Sequence, residues 1–89
     1  MATMLVRHTV SDYKIWRKAY DDFAPVQDAK GVTAEAVYQA ADNPNDVTVT
    51  HEFASVESAQ AFAESAELKK AMQNAGVVGP PTIWFTNKV

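Results

Sequence analysis

The stretch VTVTHEF, residues 47–53, alternates without a break: Val47, Val49, His51 and Phe53 share one side, and Thr48, Thr50 and Glu52 the other. A period of two through a run rich in β-branched residues specifies a strand with one buried face and is incompatible with a helix. TMLVRHTV, residues 3–10, repeats the pattern, with Met4, Val6, His8 and Val10 on one side and Leu5, Arg7 and Thr9 on the other. Each strand therefore carries one histidine on its more apolar face. These are the only 2 histidines in the chain, so whatever covers those faces must accommodate both.

Between these strands lies SDYKIWRKAYDDF, residues 11–23, where Tyr13, Trp16, Tyr20 and Phe23 form one stripe at helical spacing. Ser11 or Asp12 is placed to cap this helix, Lys14, Arg17, Lys18, Asp21 and Asp22 make its solvated face, and the spacing predicts that it runs to Lys30, where Gly31 stops it. Residues 32–41, VTAEAVYQAA, alternate more weakly and read as a strand, and DNPND, 42–46, reads as the turn that pairs it antiparallel with 47–53. Ser55 caps a second helical region with Ala59, Phe62, Ala63 and Ala66 inward. Ser65 restarts that helix, with Leu68, Ala71, Met72 and Ala75 inward, and Gly76 ends it. GVVGPP, 76–81, reads as a loop, either a plain connection or a rim over a pocket. TIWFTNKV is the last strand, with Ile83 and Phe85 on one face and Thr82, Trp84 and Thr86 on the other.

The order β-α-β-β-α-β over residues 1–89 predicts a single α+β domain, a ferredoxin-like sandwich. Its four-stranded antiparallel sheet has strand order 4-1-3-2, with both helical regions on one face. The other face then carries Leu5, Arg7, Thr48, Thr50, Glu52 and Trp84. Leu5 and Trp84 are too apolar to be left in water, which predicts a homodimer with sheets face to face and an Arg7–Glu52 cross-strand ion pair at the interface. The 0 cysteines leave association as the remaining way to reinforce so short a chain.

The net charge of −3, with the 8 Lys and Arg scattered among acids, provides no basic footprint for nucleic acid. The apolar runs are too short to span a membrane, and the N-terminal residues lack a secretory pattern, so a cytoplasmic protein is expected.

Candidate chemistry rests on His8 and His51, which titrate near neutrality and suit general acid or base work. They are expected near each other and near Trp16 or Tyr20. The alternative is two core histidines bonded to backbone or tyrosine hydroxyls. Tyr13, Trp16 and Tyr20, with Phe62 and Met72 opposite, are candidates to line a substrate cavity, or else are simply core; Phe23 is read as structural. Two histidines without a third well-spaced ligand predict no metal, and no cofactor is predicted. Phosphate loops and nucleophile elbows are absent from the sequence.

RHTVSDYKIWRKAYDDF, VYQAADNPNDVTVTHEF, SVESAQAFAES, LKKAM and GVVGPPTIWF together resemble the dimeric α+β barrel superfamily, closest to its small antibiotic-biosynthesis-monooxygenase-like proteins, over nearly the whole chain. That resemblance implies a ligand site between sheet and helices. It also implies one of several activities: cofactor-free oxygenation of polycyclic aromatics, haem degradation, polyketide cyclisation, lactone isomerisation, or a stress-linked role without known catalysis. Oxidative members use an Asn–Trp–His or Asn–Trp–Tyr set. Trp16 and the histidines fit it, but residues 3–10 contain no Asn; Asn43, Asn45, Asn74 and Asn87 lie elsewhere. Three readings follow: a cofactor-independent enzyme acting on an apolar aromatic or polyketide-like molecule through His8 or His51; a non-catalytic ligand-binding or stress-related dimer; and an interaction domain filled by its own aromatics. A cavity of a few hundred cubic ångströms would argue against the third.

Overall fold

In the computed structural model, which describes residues 1–89, the elements follow as β1 (Ala2–Val10), α1 (Tyr13–Asp22), α2 (Ala24–Ala29), β2 (Ala34–Ala40), β3 (Asn43–Phe53), α3 (Val56–Ala63), α4 (Ala66–Asn74) and β4 (Val77–Asn87). All pairings are antiparallel and the sheet order is β2-β3-β1-β4, the ferredoxin-like α+β arrangement that the element order predicts. The two strictly alternating strands are central. Val6 pairs with Val49, Met4 with His51, and His8 with Val47, so the apolar sides of β1 and β3 merge into one floor.

The helices over that floor start where the sequence places caps. The Asp12 carboxylate accepts from the Lys14 amide at 2.9 Å, and Ser55 and Ser65 accept from the Ser58 and Leu68 amides, each at 3.2 Å. The first helical region does not run unbroken to Lys30. It breaks at Phe23 and resumes as α2 with Pro25 in its first turn. A proline there has no amide hydrogen to give, and in an unbroken helix its ring would collide with the Asp21 carbonyl. The second region is interrupted at Ser65 as expected, which leaves Ala66 exposed at the start of α4 rather than inward. Gly76 then turns the chain at φ +81°, and a Cβ at this position would lie 2.7 Å from the Ser11 hydroxyl oxygen, so only glycine fits.

Two expected loops are strand instead. Asn43–Asp46 belong to β3, and the hairpin closes through Ala41 and Asp42 alone. Pro44 sits where the register slips between Gln39 and Ala40, its carbonyl accepting from the Gln39 side-chain amide at 3.2 Å. Likewise Val77–Pro81 of GVVGPP extend β4, with a register shift opposite Arg7 and Thr9. Prolines are tolerated because β4 is an edge strand with one side unpaired.

The face away from the helices carries Leu5 directly between Thr50 and Trp84, with Tyr38 opposite Thr48. Trp84 is 40% and Tyr38 58% exposed. The expected Arg7–Glu52 pair does not form: Glu52 stands opposite Thr3, whereas Arg7 makes a two-pronged bond to Asp46, Nε to Oδ1 at 3.0 Å and Nη2 to Oδ2 at 2.6 Å. Arg7 and Glu52 are four registers apart on the two strands, too far to meet, whereas Asp46, two residues before Arg7's partner Thr48, is its diagonal neighbour on the same face. No helix is long and apolar enough to cross a membrane.

Candidate functional site

β1 and β3 place their histidines under α1. His8 is 6% and His51 3% exposed. They do not adjoin one another. Val6 and Val49 separate them, and the four-residue offset in register corresponds to about 13 Å along the strands. The aromatic stripe bridges the gap: the His8 ring lies 5.6 Å from Trp16, Trp16 stacks on Tyr20 at 4.9 Å, and Tyr20 lies 6.2 Å from His51. The result is a row, His8–Trp16–Tyr20–His51, across the floor of the sheet.

None of the four imidazole nitrogens has a hydrogen-bond partner in the protein. The expectation of core histidines bonded to backbone or tyrosine therefore fails, and the reason is local. The Tyr20 hydroxyl, the nearest candidate donor to His51, is turned away and donates to the Glu35 carboxylate on β2. A neutral imidazole carries one donor and one acceptor, and an unsatisfied buried group costs about 1–3 kcal/mol. No protein group meets that need at either ring, so whatever occupies the adjoining space must supply it.

Burial sets the protonation states. Desolvation pushes the His51 imidazole down to about 4, only partly opposed by the Glu35 charge. It lowers His8 as well, with Asp46 opposing. The Tyr20 phenol is raised above its ordinary value, first by burial and then by its bond to Glu35. At neutral pH the site thus offers two uncharged imidazoles.

Both histidines face a cavity of about 40 Å³, walled by Trp16, Tyr20 and Phe23 from the first helical region, Gln27 from α2, and Leu68 and Met72 from α4. This volume holds a few waters and falls far short of the roughly 300 Å³ of an ordinary small-molecule site. Of the residues singled out in the sequence, His8, His51, Trp16, Tyr20 and Met72 converge here. Tyr13 does not line the cavity: it stacks on Trp16 at 5.8 Å from outside. Phe62 does not either. Its ring meets Phe53 at 5.5 Å, His51 at 5.3 Å and Phe23 at 6.2 Å in the adjoining core, because the break at Ser65 leaves α4, not α3, above the cavity. Phe23, read as purely structural, does line it.

Two residues were missed. Gln27 is 4% exposed and extends the stripe Trp16–Tyr20–Phe23 by one more helical step, a signal visible in the spacing. Glu35 shares the helix-facing side of β2 with Val37, where a carboxylate is out of place on an otherwise apolar side. Across the molecule no three His, Asp or Glu side chains converge as a metal would require.

No protein-family model matches the sequence, and no curated protein matches it. The fold is nonetheless a familiar one, that of the antibiotic-biosynthesis-monooxygenase-like proteins. A proposed antibiotic biosynthesis monooxygenase from Bordetella bronchiseptica superposes with a TM-score of 0.84 at 16% identity, over 99% of this chain and 96% of that one. A protein of unknown function from Nitrosomonas europaea gives 0.76 at 21%, over 96% and 85% of the two chains. SnoaB, a cofactor-independent oxygenase from Streptomyces nogalater, gives 0.75 at 10%, over 99% and 94%.

The His51 environment has a measurable consequence. The folded state gives up its His51 proton above about pH 4, whereas an unperturbed histidine does so at 6.5. Between these values the unfolded chain binds the extra proton, so stability falls as pH is lowered through that window, by up to about 3 kcal/mol. Urea denaturation across this range should show the wild-type protein losing about that much more stability than His51→Phe.

Proposed function

We propose that this chain is a cofactor-independent, enzyme-like binding protein for an apolar aromatic or polyketide-like molecule bearing hydroxyl or keto groups, working as a cytoplasmic homodimer. The observation that carries the reading is the set of four unpartnered nitrogens on His8 and His51 facing one cavity. Folding has left them unsatisfied, and a flat ligand with a polar group toward each end would satisfy them while its rings lie along Trp16 and Tyr20. The fold of SnoaB, a cofactor-independent oxygenase, supports chemistry without a bound cofactor.

The two histidines differ in what they are suited to do. With His51 at about 4, taking the proton of a phenol of ordinary pKa ~10 is uphill by about 8 kcal/mol. His51 is therefore assigned as a hydrogen-bonding anchor. His8, lowered by burial with the Asp46 charge opposing, is assigned as the acid or base. In that role it accepts the hydroxyl proton of a phenol or enol, the developing phenolate or enolate pairs with the imidazolium, and the proton returns at a different atom. Isomerisation needs nothing more. In a cyclisation the enolate carbon adds to a keto carbon of the same molecule, its C=O π bond opens, and the imidazolium proton goes to the alkoxide oxygen. An oxygenation would add dioxygen as co-substrate.

The second reading, the interaction domain whose own aromatics fill the interior, is favoured by the 40 Å³ volume. Calorimetric titration with naphthalene, naphthol and a dihydroxynaphthalene bearing hydroxyls at opposite ends separates the two. Affinity should rise roughly five- to tenfold with each hydroxyl, as one net hydrogen bond provides, and the second hydroxyl's gain should vanish in His8→Phe or His51→Phe. Equal affinity for all three, or no binding, favours the second reading.

The dimer is supported by the open sheet face, where Leu5, Trp84 and Tyr38 lie together beside Arg7 and Glu52. Sedimentation at micromolar concentration should give a dimer, and Trp84→Arg a folded monomer. A monomeric wild-type protein removes this part of the reading.

A further inference from the structure

The cavity that faces the histidines is too small for the ligand proposed above, so a wall must move. On the outer side of that wall, Tyr20, Asp21, Ala24, Gln27, Thr33 and Glu35 help to line a cleft of about 290 Å³. Only Tyr20 and Gln27 line both spaces, so they form the partition between cleft and cavity. Gln27 is held in place by burial on α2. Tyr20 is half-buried, and its hydroxyl donates to an exposed carboxylate, with the Gln27 side chain as a secondary polar neighbour. The Arg17 guanidinium lies over its ring at 5.5 Å, from the solvent side, and is itself tied to Asp21 at 3.1 Å.

We infer that ligands reach His51 through this outer cleft, and that Tyr20, latched by Glu35, is the residue that controls their passage. With the Tyr20–Glu35 bond made, the ring closes the cavity against Trp16 and the nearest route to the His51 nitrogens is blocked. With it broken, the phenol swings into the cleft and the two spaces join into one large enough for a fused-ring molecule. Glu35 faces His51 across the strand pair, so the latch lies at the His51 end of the row. His8, at the far end beside Trp16, stays covered when Tyr20 alone moves.

This inference deepens the ligand-binding reading and rests on it, but its test requires no ligand. Diethyl pyrocarbonate acylates neutral imidazole nitrogens, releasing ethanol and carbon dioxide, and the chain's 2 histidines are resolved by peptide mass mapping. At neutral pH, Tyr20→Phe and Glu35→Ala should each raise the labelling rate of His51 by about tenfold, the amount expected for release of a hydrogen bond to a charged group. His8 should change by less than about a third of that on the same scale. Glu35→Gln, which keeps an accepting oxygen but not the charge and guards against a folding artefact, should fall between the wild-type rate and that of Glu35→Ala. An unchanged His51 rate in both releasing variants overturns the latch, and so does an equal rise at both histidines, which would mean general loosening. If His51 alone responds while no naphthol binds, the latch stands and the ligand reading falls.

Discussion

The constraint on which the rest of this structure depends is the burial of two imidazoles on the apolar face of the central strand pair. Strict alternation in β1 and β3 leaves no choice about where His8 and His51 point, because moving either strand by one residue would turn Val6, Val49 and Phe53 into water. Given that orientation, desolvation decides that both are uncharged. The surrounding side chains decide that neither is bonded, since the aromatic stripe above them is mostly carbon and its one nearby hydroxyl is committed to Glu35.

The remaining elements can be understood from what they do for this row. α1 lays Trp16 and Tyr20 between the histidines. α2, redirected by Pro25, brings Gln27 to the partition. α4, restarted at Ser65, supplies Leu68 and Met72 as the opposite wall. α3 is excluded from the cavity and instead fills the neighbouring core with Phe62. An apolar pair at positions 8 and 51 would have suited these neighbours without asking for any polar partner. Two buried imidazoles without a protein partner are what distinguish this interior from a plain core.

Much of this was legible in the residues. Alternation identifies the central strands and their buried faces, and the order of elements limits the topology to the ferredoxin-like one, because right-handed crossovers leave few alternatives. The spacing of Tyr13, Trp16, Tyr20 and Phe23 identifies the helix that must cover them, and continuing it one step would have reached Gln27. Glu35 was harder to see for a physical reason. A five-residue turn at 42–46 pairs Ala41 with Val47 and sets Val37 opposite His51. The actual two-residue hairpin, with its slip at Gln39–Ala40, sets Glu35 there instead. Bulges are local compromises between turn and ladder, and pattern alone does not locate them. The separation of His8 from His51 was a matter of register in the same way: two residues can share a face and still lie four positions apart.

The central claim is that two neutral imidazoles, bonded to nothing in the protein, wait for a ligand's polar groups. Nitrogen NMR of the labelled histidine rings tests it directly, recorded at about pH 5.5, between the value of about 4 for His51 and the ordinary 6.5. The account predicts that the His51 ring is neutral there, with nitrogen shifts of an unbonded imidazole that move when the dihydroxynaphthalene is added. A protonated His51 ring at that pH, or shifts already characteristic of strong hydrogen bonds in the free protein, would contradict it.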